Sequence, residues 1–291
     1  MRWIRQVPHS TAVIIAKSFA RIAPTVCHQR LHNPIFFVGC GRSGTTILSQ
    51  TLARHPDLAV YPGEANELWH PHLYPWTQTT LDSPPFWADP VAFTQVSLSQ
   101  PDRARYDRQL QAIFGAYQFL HGGRALLNKS VMVTFMMPHL LKLFPEAKFI
   151  HLVRDGRAAA LSYAQKEQAK IKEAIAIYQQ KGYALNFDEL LATFAGHWQA
   201  HIMEIERQKI ALNLTQDRLL ELSYEHLCAD YIFEMSRLCD FMEVSFGLLP
   251  LPATAEFRNM NHKVRENLSG VQVKMVTQAA GGALLQKGYV E

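Results

Sequence analysis

The octapeptide "GCGRSGTT", residues 39 to 46, constrains this chain's fold more than any other stretch, because of what flanks it. The apolar run Ile35 to Val38 lies directly before it. The stretch from Thr45 to Pro56 then carries Ile47, Leu48, Thr51 and Leu52 at helical spacing, with the proline just past the end. A buried strand that turns through glycines into a helix aims several backbone N–H groups and the positive helix end at one spot, where an anion binds. Gly39 and Gly44 have the Gly-x4-Gly spacing of a phosphate-binding loop, and Arg42, Ser43, Thr45 and Thr46 add a guanidinium and hydroxyls. A nucleotide triphosphatase carries lysine after the second glycine, where it reaches the β/γ-phosphates. Here that position is Thr45, and Arg42 is the loop's only cation. The loop suits a phosphate ester that needs the backbone cradle without the lysine.

The rest of the chain repeats the strand-then-helix rhythm. "LAVYP" (58 to 62) reads as a short strand, 103–120 as a helix, "ALLNKS" as a strand ending near Asn128, and "FMMPHLLKLFP" as a helix. A buried strand from Ala147 to Val153 follows, then a helix in "RDGRAAALSYAQK", a long helix over 188–211 and a strand in "RLLELSY". Helices over 231–242 and 271–286 close the pattern. Strands alternating with helices predict an α/β fold, a single domain with a central parallel β-sheet flanked by helices, P-loop-like. With 291 residues, 48% of them apolar and 19% charged, the chain can bury one large core and is not a disordered polymer.

Net charge is +4, too mild to point to nucleic acid, but its distribution is uneven: residues 1 to 56 hold seven Lys/Arg and no acid. The division that follows is a basic amphipathic segment over 1–33 and a single folded domain over 34–291. Read as a helix, residues 10–26 place Ala12, Ile15, Ala16, Phe19, Ile22, Ala23 and Val26 on one face, with Lys17 and Arg21 off it. A peripheral membrane contact, an organelle-targeting peptide and a helix docked on its own domain all fit that pattern. No stretch approaches the ~20 apolar residues of a membrane span. The four cysteines, Cys27, Cys40, Cys228 and Cys239, show no metal-ligand spacing, so the expectation is reduced thiols, a cytoplasmic protein and no metal.

Two further regions carry chemistry. Arg154 stands at the end of the predicted strand 147–153, where open parallel sheets place their ligands, and Ser162 lies about two helical turns on, with Lys166 one turn beyond. Arginine, serine and lysine there make a second anion site. Residues 61 to 90 hold six prolines and three tryptophans, the mark of a long structured loop. Its aromatics, Trp69, Tyr74, Trp76, Phe86 and Trp87, fit either an acceptor pocket or pins that fix the loop to the domain.

Taken together, "FFVGCGRSGTT", "PGE", "LLNKS", "LFPEAKFIHLVRDGRAAALS", "ELSYEHL" and "LLQKGYV" run in an order that resembles the sulfotransferases dependent on PAPS (3′-phosphoadenosine-5′-phosphosulfate), particularly the branch with the tyrosylprotein and many bacterial enzymes. The resemblance implies the sulfotransferase fold, PAPS as co-substrate without a metal, and in-line sulfuryl transfer to an acceptor hydroxyl or amine. By position it gives Arg42, Ser43, Gly44, Thr45 and Thr46 the 5′-phosphosulfate, Arg154 and Ser162 the 3′-phosphate, and Tyr224 the adenine's neighbourhood. Lys263 and Arg265 in "KVRENLS" resemble a basic lid, with Val264 where the family often has tryptophan. Glu64 matches the catalytic carboxylate and Lys129 the lysine that neutralises the bridging oxygen; Glu67, His70 and His72 compete as base. The missing lysine then has a reason. A sulfuryl group carries one negative charge fewer than a phosphoryl group, so arginine and backbone donors can stabilise the leaving phosphate. The acceptor stays open among small molecule, lipid, glycan and peptide. The alternatives are a Mg²⁺-dependent small-molecule kinase, with Asp155 as its metal-holding residue, and a non-catalytic nucleotide-binding module.

Overall fold

Five short strands carry the architecture: β1 (Pro34–Val38), β2 (Leu58–Tyr61), β3 (Ala125–Lys129), β4 (Lys148–Val153) and β5 (Leu219–Ser223). They form one parallel sheet in the order β2-β3-β1-β4-β5. The computed structural model describes residues 9–72, 86–180, 186–250 and 257–290, without the side chains of 9, 10 and 169–180. Tyr74 and Trp76 lie outside the described residues.

A parallel sheet covered on both faces needs strands that are apolar throughout rather than alternating, and β1, β2 and β3 are buried at every residue. Successive side chains still go to opposite faces. Ile35 and Phe37 join Leu48, Leu52, Leu152 and Leu222 on one side, while Phe36 and Val38 join Trp69, Phe114 and Phe149 on the other. A third apolar cluster, centred on Phe194 and Trp198, lies between the long helices Gly156–Gln180 and Phe187–Ala211 and the helix Gly270–Ala280.

The element order follows the sequence pattern closely, with departures that have local causes. The single helix expected over 271–286 is two, Gly270–Ala280 and Gly282–Gln286, because Gly281 adopts φ of 54° between them. "FMMPHLLKLFP" enters its helix, Met137–Leu143, through a 3₁₀ stretch, Val131–Met136, with a proline in the first turn where its missing N–H costs nothing.

At the N-terminus, the helix His9–Ile22 lies on the helix Arg103–His121. Its contact face is Ala12, Ala16 and Ala20, each fully buried, so small residues at i, i+4 and i+8 let the two backbones approach. The larger apolar side chains of the expected face divide: Ile15 packs against the core, whereas Phe19, Ile22 and Val26 are exposed, together with Ile14. Among the described residues, no helix is long and apolar enough to cross a membrane.

Candidate active site

Because all five strands run in the same direction, their carboxyl ends form a single edge, and the predicted site residues gather along it. The loop after β1 holds Arg42 to Thr46, β3 ends on Lys129, β4 runs into Arg154, β5 into Tyr224, and the turn after β2 holds Glu64. The register pairs Phe37 of β1 with Lys129 of β3, so this lysine stands one strand away from the root of the loop.

The loop turns as its glycines require. Gly39 and Gly44 adopt φ of 114° and 97°, which a side chain would strain, and Gly44 caps the helix Thr45–Leu52. The Gly39 amide donates to Thr134 Oγ1 at 2.8 Å, which ties the loop to the 3₁₀ stretch. Arg42 has a positive φ of 65° without being glycine, a strained conformation that its surroundings must hold. Two of the predicted partners hold it: Arg42 Nε donates to Ser162 Oγ at 3.1 Å, and a terminal nitrogen of Arg154 donates to the Arg42 carbonyl at 3.0 Å. Within the loop, the Ser43 hydroxyl is buried and has no hydrogen-bond partner among the described residues. An orphaned hydroxyl beside a helix N-terminus fits a bound anion oxygen.

Arg154 is the most heavily braced residue of the edge. Its Nε donates to Asn261 Oδ1 at 2.8 Å, and its guanidinium lies 4.6 Å from the centre of the Tyr224 ring. Asn261 donates in turn to Glu225 Oε1 at 2.6 Å, an oxygen that also accepts the Asp155 amide at 3.0 Å. The other Glu225 oxygen accepts the Tyr289 hydroxyl at 2.9 Å. Burial lowers the Arg154 pKa, while Tyr224, Glu225 and Asp155 nearby raise it; the charge is kept in any case, since guanidinium does not deprotonate in proteins. Tyr224 is buried beneath this guanidinium, burial raises its phenol pKa, and its hydroxyl donates to the Arg258 carbonyl. Lys263 and Arg265 project outward from the short helix Lys263–Asn267, whose Val264 is buried between them. Lys166 is likewise exposed.

At the opposite end of the edge, Lys129 Nζ and Glu64 Oε1 form an ion pair at 2.5 Å. Lys129 is buried; the Glu64 side chain is about a third exposed. Glu64 sits in a turn between Gly63 and Ala65, both at positive φ, and Ala65 is a second strained non-glycine at the site. Asn66 donates weakly to the other Glu64 oxygen at 3.4 Å.

The competing bases fall elsewhere. Glu67 pairs with Lys17 at 3.4 Å, and His72 packs edge-on against Tyr106. His70 is buried against Ser97 Oγ at 2.7 Å, and burial, helped by Arg103, pulls its pKa down to about 3, so it stays neutral. Asp155 is not available to a magnesium ion as a metal-holding aspartate would be, because Arg157 engages both its oxygens at 2.7 to 3.2 Å.

Among the loop aromatics, those described act as pins. Trp69 is fully buried between Phe36 and Phe114 and donates to Asn128 Oδ1 at 2.9 Å. Phe86 sits against Phe93 and Phe135, and Trp87 against Phe194. The sequence reading missed Glu225, Asn261, Tyr289 and Thr134. Glu225 had a signal, since it follows Tyr224 directly at the end of β5.

The profile of a family described as "Sulfotransferase family" matches residues 34–247. Zebrafish (Danio rerio) protein-tyrosine sulfotransferase 1 is 32% identical over 139 residues, 46% of this chain and 36% of that protein. Two solved structures share the fold at low identity. A sulfotransferase from Mycobacterium avium has a TM-score of 0.59 at 15% identity, covering 96% of this chain and 83% of the other. The sulfotransferase domain of the Synechococcus PCC 7002 olefin synthase has 0.54 at 21%, covering 90% and 96%. The matches span about a third to two thirds of the length of the curated relatives.

Proposed function

The chain belongs to the sulfotransferase family, and we propose that it moves a sulfuryl group from PAPS to an acceptor hydroxyl or amine. The observation that carries this reading is the Lys129–Glu64 pair, set one strand away from an anion loop whose Ser43 hydroxyl has no partner among the described residues.

In this reading, Arg42 to Thr46 and the helix N-terminus hold the 5′-phosphosulfate, and Arg154 with Ser162 holds the 3′-phosphate. Tyr224 supports the nucleoside side from beneath Arg154, and Lys263 and Arg265 close over it from solvent. The acceptor oxygen attacks sulfur in line with the bond to the 5′-phosphate. That S–O bond breaks, its electron pair stays on the phosphate oxygen, and the acceptor's proton passes to Glu64. Lys129 and Glu64 neutralise each other in the free protein. On transfer, the departing oxygen takes up the lysine's charge as the proton takes up the carboxylate's, so neither charge is left unpaired in a partly buried site. Glu64 is the base because it alone of the four contenders stands on Lys129; the geometry needed for proton transfer comes before basicity.

The acceptor class follows from the family only as a hydroxyl or amine on a small molecule, lipid, glycan or peptide. Calorimetry tests the donor assignment. The protein should bind 3′-phosphoadenosine 5′-phosphate well above AMP and above ATP–Mg²⁺. Equal binding of the first two would remove the assignment, and tighter ATP–Mg²⁺ would favour a kinase. Transfer of label from ³⁵S-PAPS to cell-extract components then separates an enzyme from a binding module.

A further inference from the structure

Behind the anion loop lies a cluster that sulfuryl transfer does not use. Cys40, the loop's second residue, is buried against the helix Phe187–Ala211, where His197 and His201 stand one turn apart and are buried too. One ligand-capable atom from each of the three lies within 4.8 Å of the others. We propose that Cys40, His197 and His201 bind a zinc-class divalent transition-metal ion beneath the phosphate loop.

Two observations support the site. First, among the described residues neither ring nitrogen of the buried His197 makes a hydrogen bond. Buried polar atoms are nearly always paired, so two orphaned nitrogens on one buried ring beside a thiol call for a missing partner. Second, the tautomer is set. His201 Nδ1 faces the His197 carbonyl at 2.9 Å, and a carbonyl accepts only a donated N–H. In the neutral ring this puts the proton on Nδ1 and the lone pair on Nε2, the usual way an outer partner fixes the tautomer of a ligating histidine. On binding the ion, Cys40 gives up its thiol proton and enters as the thiolate.

The alternative is a neutral imidazole pair packed in an aromatic cage. Phe86 and Phe135 edges do contact these rings, and His197 and His201 meet at 4.4 Å. Aromatic edges, however, leave the His197 nitrogens without a polar partner among the described residues and supply no role for the thiol beside them. One thiolate and two imidazoles are a borderline-soft donor set that suits Zn²⁺ or Co²⁺ and disfavours Mg²⁺. Such an ion would carry a net charge of one positive unit with its ligands. It would also tie the loop between Gly39 and Gly41 to a helix distant in sequence.

Cobalt titration of the chelator-stripped full-length chain tests this. One equivalent of Co²⁺ should produce the intense visible bands of a low-symmetry site and a near-ultraviolet thiolate charge-transfer band, and Zn²⁺ should displace both. Cys40→Ala should abolish the thiolate band and weaken Zn²⁺ binding by about 100-fold or more, since losing even an outer partner of a ligand costs about 10- to 100-fold. Cys228→Ser, at the half-buried thiol, should leave the band in place. As a measurement without variants, stoichiometric Zn²⁺ should raise the wild-type melting temperature and Mg²⁺ should not. A wild type with no thiolate band at one equivalent of Co²⁺, or a folded Cys40→Ala chain that keeps it, overturns the proposal.

Discussion

The two ends of the site edge are built differently. At the β4–β5 end, Arg154 is fixed by Asn261, the Arg42 carbonyl and the Tyr224 ring, and Glu225 ties Asn261 to Asp155 and Tyr289. At the β2–β3 end, Glu64 rests on one strong partner, Lys129, in a strained turn that leads into the proline-rich loop. A network with several redundant partners holds one geometry and tolerates little change in its ligand. A single ion pair at a turn can exchange its partner as a reaction proceeds. In the proposed reading, the braced end is the one preformed for the nucleotide and the ion-paired end the one arranged to move charge.

The sharpest way to break that comparison is at Glu64. Glu64→Gln keeps the side chain's shape and removes its basicity, so kcat should fall by about 10²- to 10⁴-fold. Binding of 3′-phosphoadenosine 5′-phosphate should barely change, because the proposed donor site uses the other half of the edge. Steady-state rates with labelled PAPS, beside calorimetry, read both. A near-normal kcat would move the base to another group and remove the functional contrast.

Arg154→Ala should act in the opposite sense, on binding before rate. If Arg154 grips the 3′-phosphate as proposed, the change removes a charge-assisted hydrogen bond and should cost about 10- to 150-fold in affinity. Affinity for AMP should be spared, and Arg154→Lys should recover only part of the loss, since ammonium lacks the planar fork. Arg42→Ala should weaken both nucleotides through the 5′-phosphate they share. A uniform loss for both ligands in Arg154→Ala would mean that this arginine supports the loop and does not grip the 3′-group.

The bracing itself predicts a smaller effect. Asn261→Ala removes the Nε partner of Arg154 and leaves its bonds to the Arg42 carbonyl and the Tyr224 ring. The brace is charge-assisted but acts only by positioning a guanidinium that stays in place, so affinity for the 3′-phosphorylated nucleotide should fall by no more than roughly 2- to 12-fold, equivalent to about 0.5–1.5 kcal/mol. AMP should again be spared. A loss as large as that of Arg154→Ala would show that the braces are not redundant.

What the sequence revealed of this edge divides along the same line. Arg42 and Arg154 were legible because one loops from and the other ends an apolar strand, so local pattern places them at the carboxyl edge; Tyr224 and Lys129, also at strand ends, were reached through the family resemblance. Asn261, Tyr289 and Thr134 were not, since they reach the site from segments whose own spacing announces nothing. The same holds for Cys40 with His197 and His201. The i, i+4 histidine pair is visible in "HWQAH", but only packing brings it beneath a loop in the first fifth of the chain. Trp69 was ambiguous for another reason: aromatic residues in a long loop have the same composition whether they face a ligand or the core, and here burial decides for the core.

The smallest expected effect lies farthest from the edge. The helix His9–Ile22 uses Ala12, Ala16 and Ala20 to dock, leaving Ile14, Phe19 and Ile22 exposed with the exposed base Arg21. Exposed side chains away from a packed face change stability by no more than about 0.5 kcal/mol when replaced. The triple variant Ile14→Ser, Phe19→Ser, Ile22→Ser should therefore keep the wild-type melting temperature and bind 3′-phosphoadenosine 5′-phosphate with unchanged affinity. By contrast, Ala16→Leu forces a large side chain into the docked face and should lower the melting temperature. If the exposed row contacts membranes, the wild type should sediment with anionic phosphatidylserine vesicles and the triple variant should not, with the effect fading as salt screens the basic residues. A wild type that stays in the supernatant at low salt removes the membrane contact and leaves this helix as a docked element alone. A triple variant that loses nucleotide affinity would mean that the segment reaches the edge, and the separation between the two regions would fail.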